Sequence, residues 1–236
     1  MPLARIGDTV VAYAVAVRPR RRHPAIQIQG GSVTVLVPEG FEPSRAEGLI
    51  RAHARWILKH LEAAPKAPPR RFVTGETFAL VGRELGLVVD TALLGDTRVV
   101  LEGRRLRVTV PERFAPGRRA EAVRAALVAW YRVQAERLLP ERVAHWAPTV
   151  GSAPRRLKVH EYARRWGYCR DDGLIAFNWR LVQAPLAVVD YVVVHELVHL
   201  RFPHHQKPFW NAVGEILPDW ARHKAWLFAH GAELSW

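Results

Sequence analysis

His195-Glu196-Leu197-Val198-His199, followed by Leu200-Arg201-Phe202-Pro203-His204-His205, is the stretch that decides how this chain is read. Two histidines four residues apart on a helix stand one turn above the other on the same face. Their imidazoles can share one metal ion, and Glu196 beside them can take a proton from a water that the metal activates. Leu186 to Leu200 is apolar nearly all the way round, which predicts a buried helix. A helix whose histidines merely satisfy hydrogen bonds in a core is the competing reading. Two histidines and a glutamate in such a setting are costly unless a metal or strong partners compensate them. Pro185 suits the helix start, where its missing N–H costs nothing, and Pro203 ends the helix so that the chain can turn back.

The turn brings a third ligand, and two neighbours compete for the place. His205 follows His199 after five residues, the spacing of zincins with a His-x-x-Gly-x-x-His pattern, although Phe202 stands where that pattern has glycine. His204 remains an alternative, and Glu215 is a more distant one. Three protein ligands leave a fourth position open, the layout of a catalytic zinc site and not of a closed structural one.

Composition bounds the partners. The 236 residues can bury a sizeable core, and the net charge is +13, with 30 of the 35 basic residues arginine. The charge is spread over both halves and recurs in runs such as Arg20-Arg21-Arg22, Arg104-Arg105 and Arg164-Arg165. Arginine's fork suits phosphates, so a nucleotide, a nucleic acid or an acidic partner fits this balance, as does a merely solvated surface. One cysteine, Cys169, precludes an internal disulfide and fits a reducing, cytoplasmic setting. No stretch approaches the length of a membrane span, and no membrane partner is expected.

Outward from the metal helix, the pattern predicts an α+β fold. Residues 1–115 read as a strand-rich region, with strands over 26–29, 32–37, 78–81, 85–89, 98–101 and 105–110 and a short apolar strand over 10–17. Ser44 to Leu61 reads as one amphipathic helix, and the Pro-rich run 63–69 as a linker. Residues 116–236 read as a zincin-like catalytic region, opening with a long helix over 118–146 that Pro140 is expected to kink or interrupt. Strands over 156–162 and 174–182 form a small sheet packed on the metal helix, and C-terminal helices follow over 208–217 and 219–230. Phe209, Trp210, Trp220 and Trp226 are expected to pack on the metal helix from outside, as core. No internal repeat is evident.

Four segments together resemble a known family: Arg165-Trp-Gly-Tyr-Cys169, Leu174-Ile-Ala-Phe-Asn-Trp-Arg-Leu181, Asp190-Tyr-Val-Val-Val-His-Glu-Leu-Val-His199 and His205-Gln-Lys-Pro-Phe-Trp210. They are similar to the YgjP-like metal-dependent hydrolases, the DUF45 group of metallopeptidase type. The leader Arg20-Arg-Arg22…Ile26-Gln-Ile28…Trp56-Ile-Leu-Lys59 is similar as well, so the resemblance spans most of the chain. It implies one Zn2+ or another divalent ion on His195, His199 and His205, with Glu196 as general base. Arg165, Trp166, Gly167 and Arg180 are the candidate substrate-binding residues. The chain departs from the family at Tyr168, commonly a small serine, and at His204, commonly asparagine. Both peptidase and nucleoside triphosphate pyrophosphatase activities attach to the family.

The expected function is therefore metal-assisted hydrolysis of a peptide, laid beside a strand edge near Arg165–Cys169. The alternative is a nucleoside triphosphate pyrophosphatase, with Arg164, Arg165, Arg180, Arg201 and Lys207 as candidate cations. A second alternative, from another class, is a nucleic-acid-binding module whose metal is structural.

Overall fold

The structure, a computed structural model, describes every residue except 1, 7–8, 30–31, 63–69 and 163–164. The expected linker 63–69 and Arg164 lie outside the described residues. The chain forms two compact units, Met1–Ala67 with Phe228–Glu233, and Pro68–Leu227 with Leu234–Trp236.

The first unit holds strands β1 (Leu3–Ile6), β2 (Thr9–Val17), β3 (Ala25–Gln29) and β4 (Ser32–Val37), in the order β1-β2-β4-β3. Alternation sends Val11, Tyr13, Val33, Val35 and Val37 to one face. There they pack with Ala46 and Ile50 of α1 (Arg45–Ala52) and Ile57 of α2 (Ala54–Glu62). The single helix expected over Ser44 to Leu61 is thus two helices. The break falls at His53, whose backbone leaves helical angles at φ −109° and ψ 19°.

The second unit opens on the same plan. Strands β5 (Thr77–Leu80), β6 (Arg83–Ala92), β7 (Arg98–Glu102) and β8 (Arg105–Pro111) lie in the order β5-β6-β8-β7. In both sheets the outer pairs are antiparallel and the central pair is parallel. The registers coincide too: Tyr13 pairs with Val33 as Leu87 pairs with Leu106, and Ala25 pairs with Leu36 as Arg98 pairs with Thr109. The sequence carries one trace of this, Val37-Pro-Glu-x-Phe-x-Pro43 recurring as Val110-Pro-Glu-x-Phe-x-Pro116. An internal repeat is present after all; a strand needs only its alternation, so little of the repeat is visible in residue identities. The boundary expected at 115/116 also falls inside a unit, because β5–β8 share a core with the metal helix.

The helix α3 (Pro116–Val150) then runs 35 residues, uninterrupted at Pro140 and Pro148. An interior proline costs about 3 kcal/mol through a lost hydrogen bond and a steric clash. Against that, Val123, Leu127, Tyr131, Ala135, Leu139 and Val143 form one buried stripe along the helix. Each large apolar side chain there contributes about 1.5–3 kcal/mol, so the stripe outweighs the prolines. Arg142 on α3 holds Asp190 of α4 (Leu186–His199) with two hydrogen bonds, 2.6 and 3.0 Å, across a nearly buried contact. A three-stranded sheet, β9 (Arg156–His160), β10 (Gly167–Cys169) and β11 (Leu174–Asn178), has the order β10-β11-β9. The strand expected over 174–182 stops at Asn178, whose side-chain oxygen accepts from Arg180 N and turns the chain into a 3-10 helix, Trp179–Gln183. The fold is α+β, as expected, closed by α5 (Lys207–Ile216) and α6 (Trp220–His230). No helix among the described residues is long and apolar enough to cross a membrane.

Candidate metal centre

Helix α4 carries His195, Glu196 and His199 from the core to the floor of a cleft. Its residues Val188 to Val194 are all buried, so its axis is fixed by packing before any polar contact forms. The chain turns after His199, and His205 returns from the following loop. The three Nε2 atoms converge: 3.2 Å between His195 and His199, 3.0 Å between His199 and His205, and 2.9 Å between His205 and His195. Nitrogen ligands on tetrahedral zinc, with bonds of about 2.0–2.1 Å, stand about 3.3 Å apart, so the three positions fit such an ion.

The electrostatics fit as well. His199 Nδ1 lies 3.0 Å from the Phe202 carbonyl, which only accepts, so Nδ1 carries the proton and Nε2 presents its lone pair inward. Burial, with the facing imidazoles, holds His195 down at about 3, and burial lowers His199 and His205 too. Three neutral imidazoles pointing lone pairs at one spot repel each other unless a cation sits among them. His204 is exposed and outside the cluster, and Glu215 is outside it too, so His205 is the residue that completes the triad able to hold an ion.

Aromatic side chains hold the imidazoles. Phe209 lies 4.4 Å from His199, 4.8 Å from His205 and 4.9 Å from His195, ring to ring. Trp210 stacks on His205 at 5.5 Å and 22°, Trp220 stacks on Trp210 at 4.3 Å, and Lys224 Nζ stands 4.5 Å over the Trp210 ring. Phe209 sits in the core, with Trp210, Trp220 and Trp226 packed against it, as expected, and Phe209 and Trp210 also form a backing to the imidazoles. The Phe-Trp pair following His205 in sequence is the only signal of it that residue order carries.

Glu196 is 5% exposed, its Oε2 buried without a hydrogen-bond partner among the described residues. Burial pushes its carboxyl up to about 8, with Arg165 pulling weakly the other way. Gly167 on β10 makes room for it: a Cβ there would stand 2.8 Å from both Glu196 Cγ and Oε1. Gly167 thus belongs to the site for a steric reason that residue type announces.

The cleft holds about 900 Å³, and its rim carries Arg155, Arg165, Arg170, Tyr168, Cys169 and Asp171. Asn178 ties this rim together, donating its side-chain N–H groups to the carbonyls of Tyr162 and Arg165 and its backbone N–H to that of Trp166. Two of the expected substrate residues lie elsewhere. Arg180 is 8% exposed, ion-paired to Glu161 at 2.9 Å and bonded to the Trp236 carbonyl, so it fastens the chain's last residues and does not face the cleft. Trp166 packs against the core and is absent from the cleft lining. Arg201 points its guanidinium to the Val150 carbonyl. Cys169 is a thiol that burial and the neighbouring carboxylates push up to about 11, which removes it as a nucleophile at neutral pH.

The sequence profile of the YgjP-like, metallopeptidase domain family matches residues 22–230. No curated protein matches the chain. Among solved structures, the metallopeptidase zymogen of Pyrococcus abyssi abylysin is 16% identical, with 38% of this chain and 92% of that one covered and a TM-score of 0.35.

Proposed function

We propose, from the premise that this chain belongs to the YgjP-like metallopeptidase family, that it is a zinc-dependent hydrolase that cleaves peptide bonds with Glu196 as general base. The observation that carries the reading is the convergence of three Nε2 atoms beside the Glu196 side chain, all on residues that line one cleft. His195, His199 and His205 would hold the ion, which when bound supplies Lewis acidity to the substrate oxygen and acidifies a water. Glu196 accepts the proton of the attacking water and returns it to the leaving nitrogen. The edge strand β10 offers main-chain groups along the cleft, with β11 already paired on its other side. An extended peptide can add there as a further strand, which sets its carbonyls against the floor.

Arg155, Arg165 and Arg170 on the same rim support a second reading, a nucleoside triphosphate as substrate. Only Arg170 among them is matched to a carboxylate, Asp172 at 3.3 Å, among the described residues. A closed structural metal finds no support: the described residues bring three ligands together, with the cleft open above them.

Zinc-loaded protein and its Glu196→Gln variant, assayed on unfolded protein substrates and on a panel of nucleoside triphosphates, decide the matter. Peptide cleavage that falls at least about 100-fold in the variant, with zinc content and melting temperature retained, is expected. Glu196-dependent release of pyrophosphate instead transfers the protein to the second reading. Activity equal in both proteins removes the general base.

A further inference from the structure

The two four-stranded sheets permit a comparison inside one chain. They share strand order, strand direction and pairing register, and each is followed by helices that cover its apolar face. What the two have in common is what the module needs to fold. What only one of them has is free to serve something else.

Charge is what separates them. From Thr9 to Pro38 the first module contains no Asp or Glu at all, while its β2–β3 connection carries Arg18, Arg20, Arg21 and Arg22. Over the equivalent Arg83 to Pro111, the second module has five arginines interleaved with Glu84, Asp90, Asp96 and Glu102. One of these arginines is matched to carboxylates: Arg107 is ion-paired to Asp90 and Glu102, and its place in the first sheet is held by the buried Thr34. Its β6–β7 connection, Leu93-Leu94-Gly95-Asp96-Thr97, has no arginine. The fold therefore does not require the four arginines of the first module.

Those four are also displayed in a defined way. Arg18 N donates to the Val37 carbonyl at 2.7 Å and Arg21 N to the Arg18 carbonyl at 2.9 Å, closing a turn with Pro19 at its corner. Arg18, Arg20 and Arg22 are exposed and Arg21 half-buried. The guanidinium groups of Arg18 and Arg21 donate to the backbone carbonyls of Val17 and His23, and none of the four has a carboxylate partner among the described residues. Packed cations repel one another, so such a cluster costs stability unless an anion meets it. An array of forked donors without an ion-paired carboxylate among the described residues matches a row of phosphates. Tyr13, the one aromatic of these strands, is buried and offers no face on which a base could stack.

We infer that the first module is a duplicated copy of the second whose Arg18–Arg22 turn binds the phosphate backbone of double-stranded nucleic acid, without reading its sequence. This does not depend on which substrate the cleft takes.

The test uses the full chain and fluorescein-labelled DNA and RNA duplexes of about 20 base pairs, followed by anisotropy from about 50 to 200 mM salt. Wild-type protein is expected to bind, with affinity falling steeply as salt rises and indifferent to base sequence. Replacing Arg18, Arg20, Arg21 and Arg22 by alanine should weaken binding at least about tenfold and lower the log–log salt slope by about 3.6, at about 0.9 for each of the four phosphates no longer neutralised. Replacement by lysine should restore most of it. Alanine at Arg98, Arg104 and Arg105 of the second module should change binding less than about twofold, a difference small beside that of four phosphates left without their cations. Equal zinc content and melting temperature show that the variants are folded, and Arg20→Glu alone serves if the fourfold variant is not. The arms with DNA and RNA distinguish the two sources of the same backbone. Absence of binding by wild type at low salt, an unchanged affinity in the fourfold variant, or displacement by polyglutamate as readily as by duplex would each overturn the inference.

Discussion

The two sheet modules begin alike and end differently. In the first, the chain leaves helical angles at His53, and two short helices suffice to cover Val33, Val35 and Val37. In the second, the helix runs on for 35 residues, and the part beyond Tyr131 no longer serves the sheet. Leu139 and Val143 join the core of the metal helix, and Arg142 grips Asp190 one turn before His195. A module that is self-contained in one place becomes, by lengthening one element, the scaffold of the site in the other. The residues that repeat are the inward strand positions; the residues that make chemistry lie outside the repeat.

The sharpest way to break that comparison is a matched pair of core truncations. Ile50→Ala and Leu127→Ala remove fully buried side chains from the helix layer of each module and should each cost about 2–5 kcal/mol by denaturant unfolding. Only Leu127→Ala should also reduce zinc content. Loss of zinc in both variants would show that the first module is as much a part of the site's scaffold as the second. Next in size is Trp210→Leu, which removes the ring stacked on His205 and should weaken zinc binding about 10-fold, the low end for groups that orient a metal ligand. Phe at this position should recover most of that affinity, whereas a merely structural Trp210 would lower the melting temperature with zinc affinity unmoved.

Acid and base should act on the metal-free second unit in opposite senses. His195 sits lower in the fold, at about 3, than its ordinary 6.5, so the unfolded chain binds more protons in that window and stability falls as pH drops through it. Glu196 sits higher, at about 8 against 4.5, so protons favour the fold and stability falls as pH rises through that window. Metal-free protein should therefore be most stable at mildly acidic pH, and a melting temperature rising monotonically from about pH 4 to 9 would contradict the buried placement of Glu196. The smallest effect is expected at Cys169. Its thiol stays protonated at neutral pH, so alkylation should be slow, and Cys169→Ser should leave hydrolysis within about twofold.

Much of the site is legible from residue order because helical geometry converts sequence spacing directly into proximity. His195, Glu196 and His199 are neighbours on any helix, and Pro203 tells where the chain must turn. Arg180 escapes such a reading because nearness along the chain says nothing of which way a side chain leaves a 3-10 turn; it leaves toward Glu161 and the Trp236 carbonyl. Asn178 shows only as part of a family resemblance, since its three bonds reach back to a loop 12 to 16 residues earlier. Pro140 misleads because its local penalty is read from one residue and the stripe that outweighs it from many. The repeat stays hidden for a related reason: register and strand order recur where identities do not.

The centre itself is tested most directly by zinc stoichiometry. His195→Ala, His199→Ala, His205→Ala and His204→Ala, each measured by elemental analysis after dialysis and by competition with a chelating dye, separate the ligands from their neighbour. The account predicts one zinc per chain in wild type and His204→Ala and its loss in the other three. Retention of zinc in His205→Ala together with its loss in His204→Ala would contradict the centre described.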